Sequence, residues 1–143
     1  IKNSTAPGLT YSTRASKFYG QLKSSSCLFA DECIYAGEDI LSPNKCFRLI
    51  FRENGDLVAV RSKVPSVMIW NTKTRSKDGT RACMLRNGHF VMFNKKNCTV
   101  WSSDINENIK GKILRTCIED KGQLVTRVDD KVNFVTQAIY ECV

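Results

Sequence analysis

The residues of this 143-residue chain with the most chemistry to offer are seven cysteines, at 27, 33, 46, 83, 98, 117 and 142, and one histidine, His89. Thiolates and imidazoles can hold zinc, thiolates can attack as nucleophiles, and thiols can join as disulfides; spacing separates these roles. Zinc sites draw on closely paired ligands such as Cys-x-x-Cys, and no such pair occurs here. A Ser or Cys hydrolase needs a base, and His89 is the sole histidine, placed just after a hairpin-type turn. The carboxylate pairs Glu119-Asp120 and Asp129-Asp130 are sequence neighbours, which a strand sends to opposite faces. There is no Gly-rich phosphate loop. The expectation is a chain with no catalytic residue, metal or cofactor, whose cysteines Cys27, Cys33, Cys46, Cys83, Cys98, Cys117 and Cys142 form at least three disulfides. Seven is odd, so one is free or bonded to another chain. Cys142, close to the end, is expected to clamp the two ends of the compact part, whose start carries Cys27 and Cys33.

A second polar set recurs in phase. Asn54-Gly55-Asp56-Leu57-Val58, Asn87-Gly88-His89-Phe90-Val91 and Lys121-Gly122-Gln123-Leu124-Val125 are one phrase written three times, with glycines 33 and 34 residues apart. Each reads as a hairpin turn, with Gly where positive φ is needed, leading into a strand. A fixed period of that size denotes a repeat architecture. Trp70 lies 15 residues after its glycine and Trp101 13 after its own, with Val135 taken as the third counterpart; Ile50, Cys83 and Cys117 each lie five residues before theirs. Each unit is too small to bury an apolar face alone, so three short sheets are expected to close around a shared core drawn from Leu57, Phe90, Leu124, Trp70, Trp101 and Val135. The two tryptophans read as a packed pair rather than a ligand platform.

Elsewhere the chain shows short β-type runs between Gly, Asn, Asp, Lys and Pro, and no helical periodicity. The class is all-β. Residues 1–26 read as an irregular N-terminal arm with a short strand near 18–22, and residues 27–143 as one domain. Apolar stretches such as residues 67–70 and 90–93 are far below the ~20 residues of a membrane span. The cysteine usage, the opening on Ile1 and the sequons at Asn3 and Asn97 agree with a secreted, extracellular glycoprotein. The net charge of +8 then favours anionic glycans or cell surfaces over nucleic acid; the basic residues are scattered, and solubility is its simplest role.

Residues 33–137 resemble the bulb-type (monocot mannose-binding type) lectins. Ala36-Gly37-Glu38-Asp39-Ile40-Leu41 is similar to that family's opening strand. Phe51-Arg52-Glu53-Asn54-Gly55-Asp56-Leu57-Val58 through Ile69-Trp70-Asn71-Thr72, and Arg86-Asn87-Gly88-His89-Phe90-Val91-Met92-Phe93 through Val100-Trp101-Ser102-Ser103, resemble two of its units, with a weaker third over residues 119–137. The resemblance implies a β-prism II fold, three pseudo-repeated antiparallel sheets around a common core. It also implies three shallow sugar sites built on Gln-x-Asp-x-Asn-x-Val-x-Tyr, whose amide, carboxylate and hydroxyl groups grip sugar hydroxyls.

Carried across place by place, those sites become Arg52, Asn54, Asp56, Val58 and Val60; Leu85, Asn87, His89, Val91 and Phe93; and Glu119, Lys121, Gln123, Val125 and Arg127. Every unit keeps the valine and none keeps the polar set. Free mannose is expected not to bind measurably; an acidic glycan at the first unit is the expected ligand, with Arg52 favouring a carboxylate or sulfate. The reading is a secreted, non-enzymatic lectin-like recognition protein for a glycan other than simple mannose. The alternative is a lectin fold without sugar binding that acts through protein contacts, as a defence protein, toxin-like inhibitor or receptor ligand. Expected partners are glycans or glycoproteins, a protein receptor in the alternative, and a second copy of the chain; neither nucleic acid nor a membrane span is expected.

Overall fold

A computed structural model describes residues 21–22, 25–103 and 110–142. These form strands only: β1 (Gln21–Leu22), β2 (Cys27–Phe29), β3 (Cys33–Tyr35), β4 (Glu38–Leu41), β5 (Phe47–Phe51), β6 (Leu57–Arg61), β7 (Val64–Asn71), β8 (Gly79–Met84), β9 (Phe90–Asn94), β10 (Thr99–Ser102), β11 (Leu114–Ile118), β12 (Leu124–Val128) and β13 (Lys131–Val135). They make three sheets, ordered β1-β4-β5-β6-β7, β10-β9-β8-β3 and β13-β12-β11-β2. All pairings are antiparallel except that β1 lies parallel to β4. Of the short strand expected near residues 18–22, β1 is the described part; the remainder, like Asn3, lies outside the described residues.

The three-sheet arrangement follows the glycine period. Gly55, Gly88 and Gly122 have φ of 92°, 90° and 83°, a region that favours glycine. In each turn the glycine N–H donates three residues back, to the carbonyls of Arg52, Leu85 and Glu119 at 3.0, 3.1 and 2.9 Å. Past the turns, Leu57, Phe90 and Leu124 are fully buried. Their backbone N–H groups donate to the hydroxyls of Thr72, Ser103 and Thr136 at 3.2, 3.2 and 3.1 Å, closing each outer hairpin identically.

Two expectations are corrected by the register. The third counterpart of the tryptophans is Phe134, not Val135: Trp70 faces Ala59, Trp101 faces Met92 and Phe134 faces Thr126. Bulges of differing size in the outer hairpins make the interval from glycine to aromatic vary, whereas each aromatic lies two residues before its hydroxyl. Trp101 sits edge-on to Trp70, Phe90 and Phe134 at 5.9, 6.0 and 6.0 Å between ring centres, so the two tryptophans do pack together. The second correction is to Cys142, which bonds Cys46 in the turn between β4 and β5 and not the start of the compact part. Cys27 and Cys33 are already taken by the residues directly opposite them in register, Cys117 and Cys83. Cys98, exposed, is the cysteine left without a disulfide.

The fourth strand of each sheet comes from outside its own repeat. β2, β3 and β4 follow one another in the chain, yet each joins a different sheet. They obey a six-residue period: Leu28, Ile34 and Ile40 point inward and are fully buried, while Cys27, Cys33 and Asp39 stand opposite Cys117, Cys83 and Ile50. Two of these strands are therefore stapled to their sheets by disulfides. In the third the equivalent place carries Asp39, fully buried and bonded to Arg48 at 2.8 Å.

Candidate functional site

Strand alternation puts the candidate residues on the outer faces. Leu57 and Ala59 point to the common core, while Val58 and Val60 belong to a separate apolar cluster with Ile50 on the other side of the first sheet. Val91 and Val125 take the corresponding places in the other sheets, opposite Cys83 and Cys117. The fifteen places thus form three sets of five, each on its own sheet and none shared between sheets.

In the first set the polar groups are turned onto the protein itself. Asp56 is buried; one carboxylate oxygen accepts from the Asn71 amide at 2.9 Å, the other from the Thr72 hydroxyl at 3.1 Å and the Thr74 N–H at 3.2 Å. The Asn54 side-chain oxygen accepts from the Asp56 N–H at 2.9 Å, setting the turn. Arg52 is half-buried and reaches the Pro65 carbonyl at 3.5 Å. Val58 and Val60 are almost wholly buried. Asp56 therefore holds the loop after β7 against the turn, a role visible in the Thr72–Thr74 hydroxyl contact at 2.6 Å and the Thr74 bond to the Gly55 carbonyl at 2.7 Å.

The second set repeats the turn, with the Asn87 side-chain oxygen accepting from the His89 N–H at 3.1 Å. His89 and Leu85 are half-buried and Val91 is buried. Phe93, in the place of the family's tyrosine, is half-buried under the Arg81 guanidinium, 4.8 Å from the ring centre. In the third set Glu119 and Arg127, the places of the family's glutamine and tyrosine, are bonded to each other through both terminal guanidinium nitrogens. Gln123 donates to the Thr136 carbonyl at 3.0 Å, Val125 is buried, and Lys121 is exposed. Asn97 is exposed in the turn between β9 and β10, its side-chain oxygen accepting from Arg81 at 2.7 Å.

No protein-family profile matches the chain, and no curated protein is significantly similar in sequence. Solved structures do match. A Japanese Marasmius oreades lectin superposes with a TM-score of 0.72 at 16% identity, over 82% of this chain and 95% of that one. A monomeric monocot mannose-binding lectin from Gastrodia elata gives 0.69 at 16%, over 80% and 99%. The chain has the fold of the bulb-type lectins. The mannose-specific agglutinin of snowdrop (Galanthus nivalis) bulbs, complexed with methyl-α-D-mannoside, gives 0.64 at 21% identity, over 75% of this chain and 93% of that one.

Within that bulb-lectin fold, sequence reasoning passed over one set of residues. Arg48, Arg81 and Arg115 each lie seven residues before Gly55, Gly88 and Gly122, and so keep the 33 and 34 residue period. Each stands on the outer face in register with the family's tyrosine place: Arg48 opposite Val60, Arg81 opposite Phe93, Arg115 opposite Arg127. The period was the available signal. The lectin motif directs attention to the turn and the strand after it, and these arginines lie in the strand before the turn.

Proposed function

We propose that this protein is an extracellular, non-enzymatic lectin-like recognition protein whose ligand is a glycan other than simple mannose. What supports the reading is the combination of a bulb-lectin fold with three outer faces on which the mannose-gripping polar set is replaced or engaged internally. The Glu119–Arg127 pair is the clearest case, since a sugar entering there would have to break a charge-assisted, two-pronged contact. A polar site rejects a ligand that leaves its buried groups unpaired, so these faces would select another ligand rather than bind mannose a little less well. Three disulfides suit an oxidising compartment.

The test is a broad glycan screen with free mannose as competitor. The expected outcome is binding to a restricted set of glycans, acidic ones among them, that mannose does not displace. Millimolar or tighter binding of mannose by calorimetry, or an absence of binding to every glycan, would overturn the reading, the latter in favour of a lectin fold acting through protein contacts.

A further inference from the structure

The three arginines of the period share a place but not an environment. Arg48 is neutralised by Asp39 and Arg115 by Asp130, at 2.8 and 3.2 Å. Arg81 meets only neutral groups among the described residues: the Asn97 side-chain oxygen at 2.7 Å, the Asn94 carbonyl at 3.4 Å and the face of Phe93. These contacts hold its planar fork at the base of the β9–β10 turn. The turn adds Lys95 and Lys96, both exposed, and among the described residues neither has a carboxylate partner. Its shape is set by the Asn94 side-chain oxygen, which accepts from the N–H groups of Lys96 and Cys98 at 2.9 and 3.0 Å. Three like charges gathered at one small turn, Arg81 on the neighbouring strand β8 and two lysines in the turn itself, repel each other, and a guanidinium already oriented by neutral acceptors keeps further N–H donors to offer.

We propose that this face of the second sheet is an anion-binding subsite that takes a sulfate group of a sulfated glycan, with Arg81 giving a directed contact and Lys95 and Lys96 the surrounding charge. The proposal rests on the glycan-recognition reading above and moves the acidic ligand from the first unit, where it was expected at Arg52, to the second. A sulfated chain is favoured over a single carboxylated sugar because three cations gathered at one turn match several closely spaced anions better than one. Tyr35 and Thr99 continue the same cross-strand row on either side of Arg81 and Phe93, and bring hydroxyls to it.

Binding of a heparin-type oligosaccharide, its desulfated form and a polyphosphate of similar length would be measured by surface plasmon resonance at two salt concentrations. Arg81→Gln is expected to weaken binding of the sulfated chain about tenfold or more. Lys95→Ser with Lys96→Ser should weaken it and flatten its salt dependence. Arg115→Gln, the equivalent but paired residue, should change it less than about twofold. Desulfated chain should not bind, and polyphosphate should bind more weakly than the sulfated glycan. Should Arg81→Gln fail to fold, the paired lysine substitution, on exposed side chains, carries the test alone. Equal losses in Arg81→Gln and Arg115→Gln, or equal binding of sulfated and desulfated chains, would overturn the subsite. So would tighter binding of polyphosphate, which would assign the turn to phosphates. A neutral glycan that binds regardless of Arg81 would remove this subsite while leaving the glycan reading intact; binding to no glycan would remove both.

Discussion

Asp39 offers the sharpest test of how the first sheet is held together. Its side chain is fully buried, one carboxylate oxygen has no hydrogen-bond partner among the described residues, and the other accepts from Arg48. Burial raises its pKa from 3.8 to about 6, assisted by the neighbouring Glu38 carboxylate and opposed by the hydrogen bond and charge of Arg48. That rise corresponds to about 3 kcal/mol of preference for the neutral carboxyl in the folded protein. The sign follows from proton binding: between pH 4 and pH 6 the folded state holds a proton that the unfolded chain has released. The contribution is therefore fully present below about pH 4 and is lost as pH rises through about 6.

Asp39→Asn keeps the shape of the neutral carboxyl and cannot ionise. Urea unfolding of both proteins from pH 4 to pH 7.5 is expected to show a decline in the wild type, up to about 3 kcal/mol, that is absent from the variant. The variant should be the more stable protein at pH 7.5, because it removes a carboxylate charge that burial disfavours. Parallel curves, or a variant clearly less stable than wild type at pH 7.5, would show that the Arg48 contact outweighs the burial of the charge and would refute this account.

Gly122→Ala should cost about 1–3 kcal/mol in a thermal melt, because φ is +83° there and an added methyl would approach Phe47 and Ile69 at 3.0 Å. Thr72→Val should cost about 1–3 kcal/mol in urea unfolding by taking the hydroxyl acceptor from the Leu57 N–H and one of two donors from an Asp56 oxygen, and Thr72→Ser should recover most of it. Cys33→Ser with Cys83→Ser opens a bridge between residues 50 apart and should cost about 2–5 kcal/mol, whereas Cys98→Ser, exposed and without a disulfide, should leave the melting temperature unchanged.

The repeat was legible because a turn with φ near +90° tolerates little but glycine, so Gly55, Gly88 and Gly122 announce themselves at any identity. The aromatic ladder was only partly legible. Counting forward from glycine passes through bulges of unequal size and arrives at Val135, whereas counting back two residues from Thr136 arrives at Phe134. The six-residue period of Leu28, Ile34 and Ile40 was present in the sequence but easily overlooked in strands this short. Disulfide pairing was not legible, since nothing local to Cys27 says that its strand crosses to the last sheet. The same holds for the site. Arg52, Asn54 and Asp56 are the residue types of a hydroxyl-binding cluster, but whether Asp56 faces a ligand or Asn71, Thr72 and Thr74 depends on residues fifteen to eighteen places away.

The dispersal of β2, β3 and β4 among three sheets has a consequence in time. As the chain emerges from its N-terminus, Cys27 must wait for a partner 90 residues further on, and Cys46 for one 96 residues on. β2 and β3 likewise wait for β11 and β8, and meanwhile three thiols lie within twenty residues of one another, with each other as the nearest targets. The first sheet lies within residues 21–71 and the second is completed by β8 to β10 with the Cys33–Cys83 bond, while the third closes only when the last strands arrive. Such long closures make folding slow and leave early oxidation prone to wrong pairings, so the yield of this protein should depend on thiol–disulfide exchange during synthesis far more than the stability of its finished fold would suggest.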